Sequence, residues 1–219
     1  MKKHTMSKCL FLLGVLSLAA PLTRAQDNYP KVETSPAFMF IRTPTSFNVS
    51  GHPTVNESFN CAGGGGTFTY NVSSLVGLGA DLGGCGYFGG TLGQPISSDL
   101  SGNTFTFLFG PRFTFRNSSR FEPFTDLNFG GAHLSLTCNN NVANLCPGNP
   151  SFSTTAFALT VGGGLDIKLS KKVALRLVQA EYLYTHFGNG CSSPLCSGNE
   201  QNSFRLKSGI VINWGGSAK

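Results

Sequence analysis

Residues Thr104–Phe115 read TFTFLFGPRFTF, with Phe105, Phe107, Phe109, Pro111, Phe113 and Phe115 at odd positions. The even positions hold Thr104, Thr106, Leu108, Gly110, Arg112 and Thr114. Residues two apart on a strand share a face, so this stretch predicts a β-strand with one greasy side and one mostly polar side. Phe157–Lys168 repeats the rule with Phe157, Leu159, Val161, Leu165 and Ile167 against Thr160, Asp166 and Lys168. Phe204–Trp214 sets Phe204, Leu206, Ile210, Ile212 and Trp214 against Arg205, Lys207, Gly209 and Asn213. Each is about as long as a tilted membrane strand needs to be.

Five less regular segments complete a set of eight: Val32–Arg42, Gly65–Asn71, Leu75–Gly84, Phe121–Leu134 and Val173–Tyr184. The last slips its alternation. Val173, Leu175 and Leu177 share a face, then Val178, Ala180, Tyr182 and Tyr184 take it over, and a β-bulge near Leu177 and Val178 accounts for the change. With that bulge Arg176, Gln179 and Glu181 stay together on the polar side. Short links at Val72–Ser74, Asn117–Arg120 and Leu169–Lys172 alternate with long ones at Thr43–Phe59, Cys85–Asn103, Ser135–Ser153 and Thr185–Gln201. Such alternation fits an antiparallel barrel with short turns on one side of a membrane and long loops on the other.

Alternation alone does not separate inside from outside, and a soluble lipocalin-like periplasmic binder would turn the same pattern inward. Residue size breaks the tie. Gly77, Gly79, Gly83, Gly110, Gly130, Gly162, Gly164 and Gly209 share the polar face with the charges, whereas the other face carries more Phe, Leu, Ile and Val volume than a narrow eight-stranded interior holds. The greasy face is therefore expected to meet outer-membrane lipid, with Tyr70, Phe115, Tyr182, Tyr184 and Trp214 as interfacial girdles. The lumen is expected to hold Glu33, Asp81, Glu122, Asp126, Asp166 and Glu181 with Arg112, Lys168, Arg176, Arg205 and Lys207. Enclosed charges are tolerable when paired, so this near balance predicts an interlocked plug; a small porin-like channel tuned by the same charges is the alternative.

The N-terminus places this barrel in a compartment. Lys2, Lys3 and Lys8 precede an apolar run from Cys9 to Ala20, and Thr23 and Ala25 follow as small residues. Residues 1–25 read as a cleavable signal peptide and 26–219 as the barrel domain. Most of the formal net charge of +6 belongs to that leader. Without it the balance is near neutral, and no basic face for nucleic acid is expected. Six cysteines remain after export: Cys61, Cys85, Cys138, Cys146, Cys191 and Cys196. An even number in an oxidising compartment points to disulfides. Cys61 and Cys85 are placed where the second and third strands meet their outer links, so a Cys61–Cys85 bridge is expected, while Cys138 with Cys146 and Cys191 with Cys196 would close local loops.

Motifs for chemistry are sparse. The glycine runs Gly63–Gly66 and Gly162–Gly164 lack the strand, turn and helix order of a phosphate loop. Cys191 and Cys196 have no accompanying His for zinc, and no cofactor or metal is expected. His133 and Ser135 would share a face at the outer end of the fifth strand, and this H-x-S resembles part of the active site of outer-membrane lipid A deacylases. Leu136 stands where an Asn would follow, and no orienting acid is identified, so an enzyme is not expected.

Taken together, Phe157–Tyr184 and Phe204–Trp214 with the leader and eight strands resemble the outer-membrane β-barrel domain family typified by the OmpA and OmpX barrels. The resemblance implies an all-β, eight-stranded antiparallel up-and-down transmembrane barrel in the bacterial outer membrane. The final strand is similar to the signal read by the barrel assembly machinery, although Gly215–Lys219 follow Trp214. The implied role is that of a non-enzymatic, monomeric barrel serving envelope integrity or contact with an unidentified surface ligand. A wall-binding domain of the full-length OmpA kind is not expected.

Overall fold

A computed structural model describes residues 29–47, 55–88, 100–138, 151–188 and 200–215. The proposed leader and the cysteines Cys146, Cys191 and Cys196 lie outside these residues, as does the side chain of Cys138. Eight strands follow in order: β1 Val32–Phe47, β2 Val55–Asn71, β3 Val76–Phe88, β4 Leu100–Thr114, β5 Phe121–Cys138, β6 Ser151–Lys168, β7 Val173–His186 and β8 Glu200–Trp214. Each pairs antiparallel with the next, and β1 closes on β8 with Val32 opposite Trp214. Closure removes both sheet edges, which is what allows strands to cross lipid without unpaired backbone groups.

Two of the tight turns share one construction. In Val72–Leu75 the Ser73 hydroxyl accepts from the Leu75 and Val76 amides at 3.3 and 2.9 Å. In Leu169–Lys172 the Ser170 hydroxyl accepts from the Lys172 and Val173 amides at 3.3 and 3.1 Å. Between β4 and β5, Asn117 Oδ1 accepts from the Ser119 amide at 2.9 Å. Ser and Asn side chains here satisfy backbone donors that no ladder reaches.

The strands run further at the opposite end than the sequence pattern indicates. β1 continues to Phe47, β2 begins at Val55 rather than Gly65, and β5 and β6 remain paired up to Thr137 and Ser151. The added ends of β1, β5 and β6 read TPTSF, SLT and SFSTT, so hydrogen bonding continues where hydrophobic alternation has stopped, whereas the β2 extension carries the buried Cys61. The bulge in β7 lies at Leu177 and Val178: Arg176 stands opposite Gly209 and Gln179 opposite Lys207, leaving two residues against Ser208. Both bulged side chains are exposed, while Arg176 and Gln179 are wholly buried.

Outward positions carry Phe38, Phe68, Leu78, Leu82, Phe105, Phe109, Phe129, Phe157, Val161, Phe204 and Ile210, each about half exposed. A water-soluble barrel does not tolerate so wide a belt, and the lipocalin-like alternative is thereby excluded. From Phe204 to Trp214 the belt spans ten residue steps, or about 25 Å of membrane height for a strand tilted by about 40°. Tyr70, Phe115, Tyr182 and Trp214 are exposed near strand ends.

Candidate functional site: a lumen closed by ion pairs

Inside the barrel, register decides which charges meet. Arg112 stands opposite Asp126 across β4 and β5, Asp166 opposite Arg176 across β6 and β7, and Glu181 opposite Arg205 across β7 and β8. All three arginines make two-pronged contacts. Arg112 donates to Asp126 at 2.8 and 3.2 Å, Arg176 to Asp166 at 2.9 Å twice, and Arg205 to Glu181 at 2.8 and 3.1 Å. The planar guanidinium fork matches a carboxylate, which lysine does not reproduce.

Further bonds cross the lumen. Arg205 on β8 donates to Asp81 on β3 at 3.1 Å and to Thr106 on β4 at 3.3 Å. In a ring of eight, β4 lies diametrically opposite β8, so one side chain spans the bore. Lys207 pairs with Asp81 and also approaches Glu181 at 3.4 Å. Arg176 reaches Thr67 of β2 at 3.3 Å and Gln179 Oε1 at 3.0 Å, while the Gln179 amide donates to Asp126 at 2.9 Å. The Phe124 ring lies between two guanidinium groups, 4.0 Å from Arg112 and 4.5 Å from Arg176. A desolvated aromatic face adds cation–π attraction to this stack.

Glycine provides the room. A Cβ at Gly162, opposite Glu181, would stand 2.2 Å from the Ala180 carbonyl oxygen and 2.8 Å from Glu181 Cγ. Below the arginine layers, at the short-turn end, Glu33 accepts from Asn71 at 2.8 Å and pairs with Arg116. Glu122 pairs with Lys168 at 3.3 Å, and Lys168 also donates to the Asn117 carbonyl at 2.9 Å. Glu122 and Lys168 are the more exposed pair, at the mouth rather than in the bore. Arg116 was not among the residues singled out from sequence: it lies beyond the alternating part of β4, and its turn brings it back under the lumen.

The upper lumen differs. Met39, Ile41, Leu108, Ala132, Ala158 and Leu183 form an apolar cluster around the Cys61–Cys85 disulfide, whose Cα atoms are 5.5 Å apart. The sequence reading places these cysteines at the loop junctions. Instead both side chains point into the bore from within paired strands, because Cys61 continues the inward set of Thr69 and Asn71, and Cys85 that of Asp81 and Gly83. The bridge runs diagonally, since Cys85 stands opposite Gly63 and Cys61 opposite Tyr87. A Cβ at Gly63 would lie 2.6 Å from Cys85 Cα, so glycine clears the bridge's path. Above it is a cavity of about 20 Å³ lined by Ile41, Thr43, Tyr87, Thr104, Leu134, Leu183, Thr185, Phe187 and Ser203 among others, room for a single water. Along its wall the Tyr87 and Thr104 hydroxyls of neighbouring β3 and β4 meet at 2.6 Å, and those of Thr43 and Ser203 on neighbouring β1 and β8 at 2.8 Å.

His133 and Ser135 face outward, 3.5 Å apart. His133 Nε2 lies closer to Ser153 of β6, at 3.0 Å, and Nδ1 lies 2.9 Å from Thr155. No carboxylate orients this imidazole among the described residues.

A closed antiparallel barrel with an apolar exterior and a paired-charge interior is a membrane-spanning β-barrel. The chain belongs to the outer membrane protein beta-barrel domain family, whose model matches residues 10–208. Among solved structures it is similar to outer membrane protein AlkL in lipid bilayers, at 17% identity over 91% of this chain and 97% of that one with a TM-score of 0.52. Outer membrane protein OprG from Pseudomonas aeruginosa gives 11% identity over 87% and 99%, with a TM-score of 0.50. Neisserial surface protein A gives 12% over 83% and 97%, with a TM-score of 0.50. At these identities the likeness is one of fold. No curated protein matches the sequence significantly.

Proposed function

We propose that the protein is a closed, non-enzymatic membrane anchor of the bacterial outer membrane, exported by residues 1–25, whose outer segments make contact with the surroundings. The short turns lie in the periplasm in this reading, and the long links face outward. One observation carries it: Arg205 crosses the bore from β8 to Asp81 and Thr106 while gripping Glu181, so an ion entering the lumen meets paired charges instead of water. Breaking one of these buried pairs leaves a charge in the bore without its partner, at a cost of about 3–5 kcal/mol, which argues against routine opening.

His133 and Ser153 do not alter this reading. A serine and a histidine without an orienting acid lack the part that fixes the imidazole's tautomer and supports its positive charge.

Planar-bilayer recording on the refolded protein tests the proposal. The expected record is flat up to the voltage at which the membrane itself breaks. Discrete, reproducible conductance steps would overturn it and favour the channel reading.

A further inference from the structure

Charge is distributed unevenly between the two ends of this molecule. The short-turn end carries Lys31, Arg116, Arg120, Lys168, Lys171 and Lys172, whereas the described strands at the other end carry one Lys or Arg, Arg42. The segments joining strands at that other end, residues 48–54, 89–99, 139–150 and 189–199, contain neither Lys nor Arg. Arg116 and Lys168 are engaged by Glu33 and Glu122. Arg120, Lys171 and Lys172 are exposed, and no carboxylate pairs with them among the described residues.

These three bases belong to one quadrant. The Lys168 amide donates to the Arg120 carbonyl at 2.8 Å and Phe121 stands opposite Ile167, so the β4–β5 and β6–β7 turns lie side by side. The Lys172 carbonyl accepts from Asn213 at 2.8 Å, which carries the patch to the foot of β8. Directly beside the bases, Phe121, Leu169 and Trp214 are more than half exposed on the lipid-facing wall. Long basic side chains one to three residues from an apolar belt place their charge at headgroup height while their stems cover the belt's rim.

We propose that Arg120, Lys171 and Lys172 seat anionic phospholipid headgroups of the leaflet at the short-turn end, selecting phosphatidylglycerol-type lipids over zwitterionic ones. The proposal rests on the membrane reading above. Its basis is charge complementarity: three cations stand beside exposed aromatic and aliphatic residues, and the carboxylates nearby are already paired within the lumen.

The test uses the full chain refolded into nanodiscs of phosphatidylcholine containing a minor fraction of phosphatidylglycerol, with retained lipid counted by native mass spectrometry. Wild type should retain phosphatidylglycerol above its bulk fraction. The triple variant Arg120→Gln/Lys171→Gln/Lys172→Gln should lose about tenfold or more of that preference, since each base near an anionic surface contributes roughly a fivefold factor. Arg42→Gln, at the opposite rim, should keep it. Bulk-like lipid in wild type, or undiminished preference in the triple variant, would overturn the assignment. So would retention of acidic cell-wall fragments by the same three bases without lipid preference. A heat-dependent gel shift in each variant reports the closed barrel separately; its absence in wild type would strike the membrane reading itself.

Discussion

The two halves of the lumen fill the same bore by opposite means. From Glu33 to Arg205 the interior is a mesh of carboxylates, guanidinium groups and one stacked ring, whereas around Cys61–Cys85 it is aliphatic, cross-linked and topped by a few hydroxyls. A charged mesh gains directionality, because each two-pronged arginine fixes its carboxylate in one place, but every member becomes costly to remove. An apolar plug is less directional and more forgiving. The arginine layers tie distant strands to one another through directed bonds, whereas the disulfide adds a covalent tie between β2 and β3, which already pair along their length.

The largest disturbance would be one that exchanges the two faces. Deleting Ala180, just past the bulge, turns every later residue of β7 over, sending Glu181 toward lipid and Tyr182 into the bore. Deleting Val178 would only straighten the ladder, because Arg176 and Gln179 would then flank one residue opposite Ser208. No folded band resistant to cold detergent is expected from the Ala180 deletion, and a normal gel shift would mean that β7 re-pairs freely and that its inward charges do not set the register. Next in size is Arg205→Met, which keeps the volume but leaves Asp81 and Glu181 to Lys207 alone. Stripping one partner from a buried pair costs about 3–5 kcal/mol. A much lower urea midpoint for unfolding in detergent is expected; an unchanged midpoint would show that water or rearrangement substitutes freely for the guanidinium.

What was legible in the sequence follows from the same contrast. Thr104–Phe115 and Phe204–Trp214 advertise themselves because lipid demands large apolar groups outside and glycine or charge inside, and the β7 bulge could be read from where Gln179 and Glu181 had to go. Alternation also assigned the lumen charges to one face, yet it could not say that Arg112 meets Asp126 or that Arg205 crosses to Thr106, since these depend on stagger between strands. The apolar upper lumen was hidden for another reason: Met39, Ile41, Leu108 and Leu183 look like lipid-facing residues or like exceptions until closure places them together. Phe124 shares the inward face of Glu122 and Asp126 and belongs there as a ring between two arginines. Strand ends such as Thr43–Phe47 and Ser151–Thr155 hold a single Phe each and no alternation of apolar residues to read.

The smallest of these effects concerns the bridge, and it separates holding from blocking. Cys61 and Cys85 are 24 residues apart in sequence, and a link of that span stabilises by about 3.5 kcal/mol at most through restriction of the unfolded chain. The gain should be smaller here, because β2 and β3 are already joined by the tight turn at Val72–Leu75 and paired along twelve register positions from Asn60 to Asn71. Cys61→Ala/Cys85→Ala is therefore expected to fold, to shift its gel band on boiling and to unfold at modestly lower urea than wild type. Its bilayer record should stay flat, because the layers of Arg205, Arg176 and Arg112 below the bridge are untouched. If the double variant conducts, the apolar half is the true seal and the charged mesh below it is permeable, which reverses the roles assigned to the two halves.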